Sequence, residues 1–287
     1  MSGQARGDFR FRSAATALVL GGTLGAPWSA VACPGLDPCA IPGGGYYALP
    51  PPGWNGDTPL PTMIFFHGYG MKALELAQDP DFTRPFAMAG VLLVLPDSLG
   101  PGWGRDRPTP RGRDEIAFSD ALRADLVHRF HADPGRLLAS GFSAGGILTL
   151  ELACRRGGGY AGFVVIAGTF REPLPASCPT GPVDLLQIHG LADTVVPIDG
   201  TPPDDPIRLV GVEDGLATLR ALDGCGSAPD RTTDGPSGQR CSVWDRCTSG
   251  RELRLCLHPG GHLVPEGWVA QAQAWLRGLK GVTRTAR

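Results

Sequence analysis

The pentapeptide Gly141-Phe142-Ser143-Ala144-Gly145 follows the apolar run Arg136-Leu137-Leu138-Ala139-Ser140 and precedes an apolar stretch with helical spacing. A strand that runs into Gly-x-Ser-x-Gly and turns at once into a helix has few geometries open to it. The turn forces the serine backbone into a strained conformation, and side chains at the flanking glycine positions would collide with the neighbouring strand and helix. The serine hydroxyl is then presented at the carboxyl edge of a sheet, with a helix N-terminus behind it. Gly-x-Ser-x-Gly alone recurs by chance in a chain with 42 glycines. The strand before it and the helix after it make this match specific.

A serine hydroxyl is a poor nucleophile until a base takes its proton, so the turn calls for a histidine and an acid. On sheets with this turn they follow in the order serine, acid, histidine. Val183 to Gly190 reads as a buried strand, with Leu191-Ala192-Asp193 just beyond its end. Leu253 to Leu257 reads as another, followed by Pro259-Gly260-Gly261-His262. Asp193 is the expected orienting acid and His262 the expected base, each in a loop at a strand's carboxyl end, where open parallel sheets place their sites. Asp199 follows Pro197 and lies farther from the strand end. His258 still belongs to its strand, and His189 reads as a structural residue bonded to the loop beside it. His128 and His131 fall at the end of a predicted helix, favourably placed at its C-terminus.

A fourth component is a pair of backbone donors for a developing oxyanion. The strand Thr62 to Phe66 ends in His67-Gly68-Tyr69-Gly70. The Tyr69 N–H is the expected loop donor, with Gly70 as the alternative, and the Ala144 N–H is the second donor. His67 reads as a residue that braces this loop.

With 26 basic and 28 acidic residues the chain carries a formal charge of −2, which argues against a nucleic-acid binder. Its 287 residues suit one α/β domain. Residues 1–32 differ from the rest. Arg6, Arg10 and Arg12 precede an apolar run from Ala14 to Leu24, and Ala30-Val31-Ala32 has the small-x-small form of a leader cleavage site. That run is too short and interrupted for a membrane span. Cleavage after Ala32 would leave Cys33 first, so lipid anchoring at Cys33 is an alternative. Ala30 stands where lipidated proteins usually carry Leu, and an ordinary secretory leader is expected, followed by a single domain over residues 33–287.

Export makes the eight cysteines, all beyond residue 32, candidates for disulfides. None shows C-x-x-C spacing, so no metal is expected. Neighbourhood pairs Cys33 with Cys39 and Cys154 with Cys178. The last four pair among themselves; their connectivity is not fixed by sequence, and Cys225–Cys247 with Cys241–Cys256 is the expected arrangement.

The layout alternates as a parallel sheet requires. Strands are predicted at 62–66, 91–95, 136–140, 162–166, 183–190 and 253–257. Helices are predicted from about Asp114 through Phe130, from the serine turn to Cys154, over 212–222 and over 266–279. Pro101 to Arg113 is a Pro, Gly and Arg-rich loop containing Trp103. Gly224 to Gly250 reads as loop. Trp268 and Trp275 share a helix face with Ala272, Leu276 and Leu279 and are expected to pack on the sheet, with a site-lining role for Trp268 as the alternative.

The chain resembles the secreted α/β-hydrolase esterases that include polyhydroxybutyrate depolymerases, feruloyl esterases and acetylxylan esterases. The resemblance runs from about Tyr46 to the last helix. It rests on Phe66-His67-Gly68, on Asp133-Pro134-Gly135-Arg136 leading into Ser140 through Gly146, on Leu152-Ala153-Cys154, on His189 through Pro197, and on Gly260-Gly261-His262. It implies an α/β-hydrolase fold, a mostly parallel central sheet flanked by helices, and a Ser143–His262–Asp193 triad that hydrolyses carboxylic esters through an acyl-enzyme. No cofactor is implied, and activity should rise with pH as a group near 7 loses its proton. The bridge Cys154–Cys178 fits one that many members carry. The implied partner is a small or oligomeric ester, a polyester or a plant cell-wall polysaccharide ester. One departure is Leu263-Val264-Pro265, where relatives often carry Trp-Pro; a substrate-facing aromatic is missing. Two other readings share the fold: a prolyl-oligopeptidase-like peptidase, which normally carries a propeller domain that this length leaves no room for, and a non-catalytic secreted binding protein.

Overall fold

The computed structural model describes residues 33–104 and 112–279. The leader expected over 1–32 lies outside them, as does part of the Pro101–Arg113 loop. Ten strands form one sheet: β1 (Cys39–Ile41), β2 (Gly44–Leu49), β3 (Leu60–Phe66), β4 (Leu92–Pro96), β5 (Ala132–Phe142), β6 (Gly162–Ile166), β7 (Leu185–Gly190), β8 (Arg231–Asp234), β9 (Arg240–Trp244) and β10 (Leu253–His258). Their order is β1-β2-β4-β3-β5-β6-β7-β10-β9-β8. The six from β4 to β10 pair parallel, and an antiparallel pair flanks each side. The helices are α1 (Ala73–Gln78), α2 (Pro80–Met88), α3 (Glu115–Phe130), α4 (Ala144–Arg156), α5 (Val212–Asp223) and α6 (Trp268–Gly278). This is the α/β-hydrolase architecture.

Strand period decides the layers. Successive side chains of a strand face opposite sides. In β3, Ile64 and Phe66 join Leu122, Leu126 and Leu148 under α3 and α4. Met63 and Phe65 join Phe86, Trp268 and Trp275 under α2 and α6. The Trp268 ring lies 5.6 Å from both Phe65 and Phe86, so Trp268 is a core residue. Helix α3 starts where its cap dictates: the Asp114 side chain accepts the Ile116 and Ala117 amides, and the acidic first turn suits the positive end of the helix.

Two parts of the sheet escape the sequence pattern. No strand is legible before Thr62, yet β2 extends the sheet by antiparallel pairing with β4, and β1 pairs antiparallel with β2 in turn. The segment Gly224–Gly250, expected as loop, contains β8 and β9. The residues of β8, Arg-Thr-Thr-Asp, are exposed or half-exposed and show no apolar alternation. Pairing with β9, itself laid against β10, makes them a strand.

The structure joins Cys33 to Cys39, Cys154 to Cys178, Cys225 to Cys247 and Cys241 to Cys256. Cys241 and Cys256 stand directly opposite in the β9–β10 ladder. No described helix is long and apolar enough to cross a membrane.

Candidate active site

The chain leaves β3 for β4 on one side, then returns to β5 on the other side of β3. Loops leaving the carboxyl ends of β3 and β5 therefore diverge, opening the crevice where parallel sheets hold ligands. Ser143 caps α4 at the end of β5 with φ 55° and ψ −117°, a region that residues with a Cβ rarely occupy. Its N–H donates to Ile166 O at 2.9 Å, and its carbonyl accepts the first helical bond from Ile147 N–H. The helix can sit this close only because Gly145 lacks a side chain: a Cβ there would lie 1.9 Å from Phe66 O. At Gly141 a Cβ would lie 2.3 Å from Gly145 O.

Asp193 follows β7 and is buried. Its Oδ1 accepts the Val195 and Val196 amides at 2.9 and 2.8 Å, which holds the carboxylate in place. Its Oδ2 lies 2.8 Å from Nδ1 of His262. His262 arrives on the loop after β10, which is zipped to the acid loop by Leu191 N–H to His258 O and Ala192 N–H to Gly260 O. The His262 ring packs on Phe142, the residue before Ser143, with centroids 4.8 Å apart. The structure thus brings Asp193 and His262 into contact and sets the imidazole against the serine turn. Among the described residues Ser143 Oγ itself makes no hydrogen bond.

The other histidines take different parts. His189 is fully buried, and its Nε2 lies 2.8 Å from Val196 O. A carbonyl partner makes that nitrogen the donor, and burial pushes the imidazole below its ordinary pKa, so a neutral His189 braces the acid loop. His67 is likewise buried, bonds the Gly68 carbonyl through Nδ1, and is lowered by burial. His258 accepts the Gly260 amide at its own strand end, also lowered by desolvation. Asp199 makes no contact with an imidazole among the described residues.

In the loop after β3, Gly68 N–H turns to Met71 Sδ and Met71 N–H to Gly68 O. Gly70, the alternative donor, is engaged elsewhere: its N–H donates to Pro101 O at 2.6 Å. Tyr69 is left as the amide of this turn without an acceptor among the described residues. Ala144 opens α4, where the first amides have no intrahelical partner. Both line a cavity of about 310 Å³ with Leu99, Pro101, Trp103 and Arg171. A larger one, about 580 Å³, lies between β8–β10 and α6; neither cavity is lined by Ser143, Asp193 or His262, and the smaller reaches the serine turn through Ala144. No group of three or more described His, Cys, Asp or Glu residues could hold a metal.

Sequence reading missed what holds the cavity's far wall. Trp103 Nε1 donates to His67 O, and Arg113 and Glu115 form a buried ion pair behind it. A lone Trp in a Gly and Pro-rich loop was the only signal available.

The architecture and the serine turn are those of the α/β-hydrolase fold. No protein-family model matches the chain. Among curated proteins it is similar to "Putative esterase NocK" of Nocardia uniformis subsp. tsuyamanensis, 29% identical over 231 residues, which cover 72% of this chain and 66% of that one. It is 23% identical over 229 residues to feruloyl esterase B of Piromyces equi, covering 76% and 42% of the two chains. With feruloyl esterase C of Emericella nidulans it shares 27% over 168 residues, covering 56% and 58%. The chain spans two thirds or less of the length of these relatives. Its fold matches that of the acetyl xylan esterase from Aspergillus awamori with a TM-score of 0.60 at 15% identity, over 81% of this chain and 93% of that one. The Bacillus cereus carboxylesterase matches with 0.51 at 12%, over 82% and 95%. The resemblance implied by the motifs is to proteins that bear the name esterase, and these bear it.

Proposed function

We propose that this chain is an exported serine esterase with Ser143 as nucleophile, His262 as general base and Asp193 as the acid that orients it. The observation that carries the reading is the 2.8 Å contact of His262 Nδ1 with Asp193 Oδ2, made against Phe142, next to a serine held at positive φ.

With Nδ1–H donated to Asp193, His262 Nε2 is the nitrogen free to act as base. It takes the Ser143 proton as Oγ bonds to the ester carbonyl carbon. The carbonyl oxygen gains the electron pair and is met by the Tyr69 and Ala144 amides, each such donor being worth about 3–4 kcal/mol of barrier. Collapse of this intermediate expels the alcohol, which takes the proton back from Nε2. Water then repeats the sequence on the acyl-enzyme, losing its proton to Nε2 and freeing the acid and Ser143. Asp193 fixes the tautomer and stabilises the imidazolium formed in each half.

The substrate class is carboxylic esters. The relatives' names point to feruloyl and acetylated-xylan esters, and the motif resemblance adds polyhydroxybutyrate. Tyr69, Leu99, Leu191, Val195 and Leu263, all exposed apolar side chains on loops at this sheet edge, support an apolar acyl or polymer substrate. Four disulfides support an oxidising compartment. Cys33 is bonded to Cys39, and a sulfur in that bridge is not open to thioether lipidation, which favours the ordinary leader over residues 1–32.

The test is hydrolysis of p-nitrophenyl acetate through octanoate, methyl ferulate, acetylated xylan and 3-hydroxybutyrate oligomers by the mature protein and by Ser143→Ala. Activity on at least one ester, abolished in the variant, is expected. A wild type inert on the whole panel, or a fully active variant, refutes the assignment.

A further inference from the structure

The Tyr69 amide is useful as an oxyanion donor only if its direction is fixed, and Tyr69 stands on an exposed turn with its own side chain 71% exposed. Within the turn, the Gly68 carbonyl, which shares a peptide unit with the Tyr69 N–H, accepts the Met71 N–H at 3.2 Å and lies 2.8 Å from His67 Nδ1. The turn as a whole is tied from outside, on both flanks, to one neighbouring segment, 98–104. On the N-terminal flank, Trp103 Nε1 donates to His67 O at 2.8 Å. On the C-terminal flank, Gly70 N–H donates to Pro101 O at 2.6 Å. Between them the Tyr69 ring rests over Gly102, where a Cβ would come within 3.0 Å of Tyr69 Cδ2.

Segment 98–104 is itself irregular, and its rigidity comes from a buried ion pair. Arg113 donates through Nε to Glu115 Oε2 at 2.8 Å, through Nη2 to Asp97 O at 2.6 Å and through Nη1 to Gly43 O at 3.1 Å. Glu115 Oε1 accepts the Gly104 amide at 3.2 Å. The pair therefore grips the segment just before its start, at Asp97, and at its end, at Gly104. The Arg113 guanidinium also lies 3.4 Å from the Phe118 ring centroid and 5.6 Å from that of Trp103, whose other neighbours are Phe66 at 5.1 Å and His67 at 4.9 Å. Arg113 and Glu115 are 8% and 3% exposed. Burial pushes the Glu115 carboxyl up, and the adjacent guanidinium opposes this. Ion pairs this buried are weak contributors to stability but can fix one arrangement among several.

We propose that Trp103, held by the Arg113–Glu115 pair, is a positioning residue that anchors the turn carrying the Tyr69 amide, through its bond to the His67 carbonyl one peptide unit before that amide. The proposal rests on the esterase reading of Ser143 and on Tyr69 as an oxyanion donor. It makes the effect of Trp103 appear in the transition state, where the oxyanion exists, and not in the binding of the neutral ester.

Trp103 also forms part of the cavity wall, so the test must remove the N–H and keep the ring. Trp103→3-benzothienylalanine does this, with sulfur in place of the indole N–H, and Trp103→Phe serves as the encoded counterpart. Arg113→Lys keeps the charge opposite Glu115 but shortens the reach to Asp97 O and Gly43 O and does not line the cavity. With p-nitrophenyl acetate, kcat is expected to fall about tenfold in the isostere, the rate equivalent of one ordinary hydrogen bond, with KM unchanged within about twofold. Arg113→Lys should lower kcat in the same sense, and labelling of Ser143 by a serine-directed phosphonate should slow in parallel. A wild-type kcat in the isostere overturns the proposal, as does a loss carried entirely by KM. Wild type and Ser143→Ala run alongside: if both hydrolyse the ester equally, the esterase reading falls and takes the proposal with it. If only the wild type does, an unchanged isostere refutes the role of Trp103 alone.

Discussion

Replacing Ser143 by glycine should abolish catalysis and at the same time stabilise the fold. Ser143 sits at φ 55° and ψ −117°. A residue with a Cβ in such a region costs about 1–3 kcal/mol, which glycine does not incur. Glycine loses more backbone freedom on folding, a penalty of about 0.5–1 kcal/mol. The hydroxyl makes no hydrogen bond among the described residues, so its removal subtracts little. The difference predicts Ser143→Gly to be more stable than wild type by up to about 2.5 kcal/mol, about 1 kcal/mol at mid-range. Ser143→Ala keeps the Cβ and the strain, and should stay within about 0.5 kcal/mol of wild type. The measurement is guanidinium unfolding with the disulfides intact, at equal m-values, with ester hydrolysis checked on the same samples. At an unstrained position the order reverses, with glycine below alanine by about 0.5–1 kcal/mol. Finding that reversed order would refute the claim that the turn stores strain at Ser143.

Three further outcomes follow from the geometry. Asp193→Asn should still accept the Val195 and Val196 amides through its carbonyl oxygen but turn an NH₂ toward His262 Nδ1, forcing the wrong tautomer; kcat should drop by about 10⁴ with unfolding unaffected, and a drop under tenfold would count against the triad. Asp223 is buried near Asp184, with Oδ1 on the Val183 amide and Oδ2 unpartnered, and burial first, then the Asp184 charge, pushes its carboxyl up to about 7. The folded state then keeps a proton that the unfolded chain has lost, so stability should fall as pH rises from about 4 to about 7 and level off above. Asp223→Asn should flatten that slope and gain stability at about pH 8, by at most about 4 kcal/mol, seen in guanidinium midpoints across the window; equal slopes would exclude Asp223 as their source. Cys154→Ala with Cys178→Ala opens a bridge of sequence separation 24 between α4 and the segment before β7. It should cost about 3 kcal/mol of stability while leaving kcat within about twofold at room temperature, and loss of kcat without loss of stability would show that the bridge shapes the site.

Much of the frame is legible in local sequence. The apolar runs at Thr62–Phe66, Gly162–Ile166 and Val183–Gly190 are buried on both faces of a parallel sheet, so their composition alone marks them as strands. The cap at Asp114 and the glycines around Ser143 act through neighbours a few residues away, and local rules read them. The same rules place Asp193 and His262 at strand ends, because the order of elements along the chain fixes which edge they reach. Tertiary structure decided the remainder, wherever a residue's role depends on a partner distant in sequence. The polar β8 is a strand only because β9 lies beside it. Gly70 loses its amide to Pro101, across 31 positions of chain, and that bond singles out Tyr69. Trp103 reaches back 36 residues to His67, and Arg113 reaches 70 to Gly43. Periodicity and turn chemistry describe the chain against its near neighbours, and they carry no information about contacts that exist only once the sheet has brought loops from different strands to one edge.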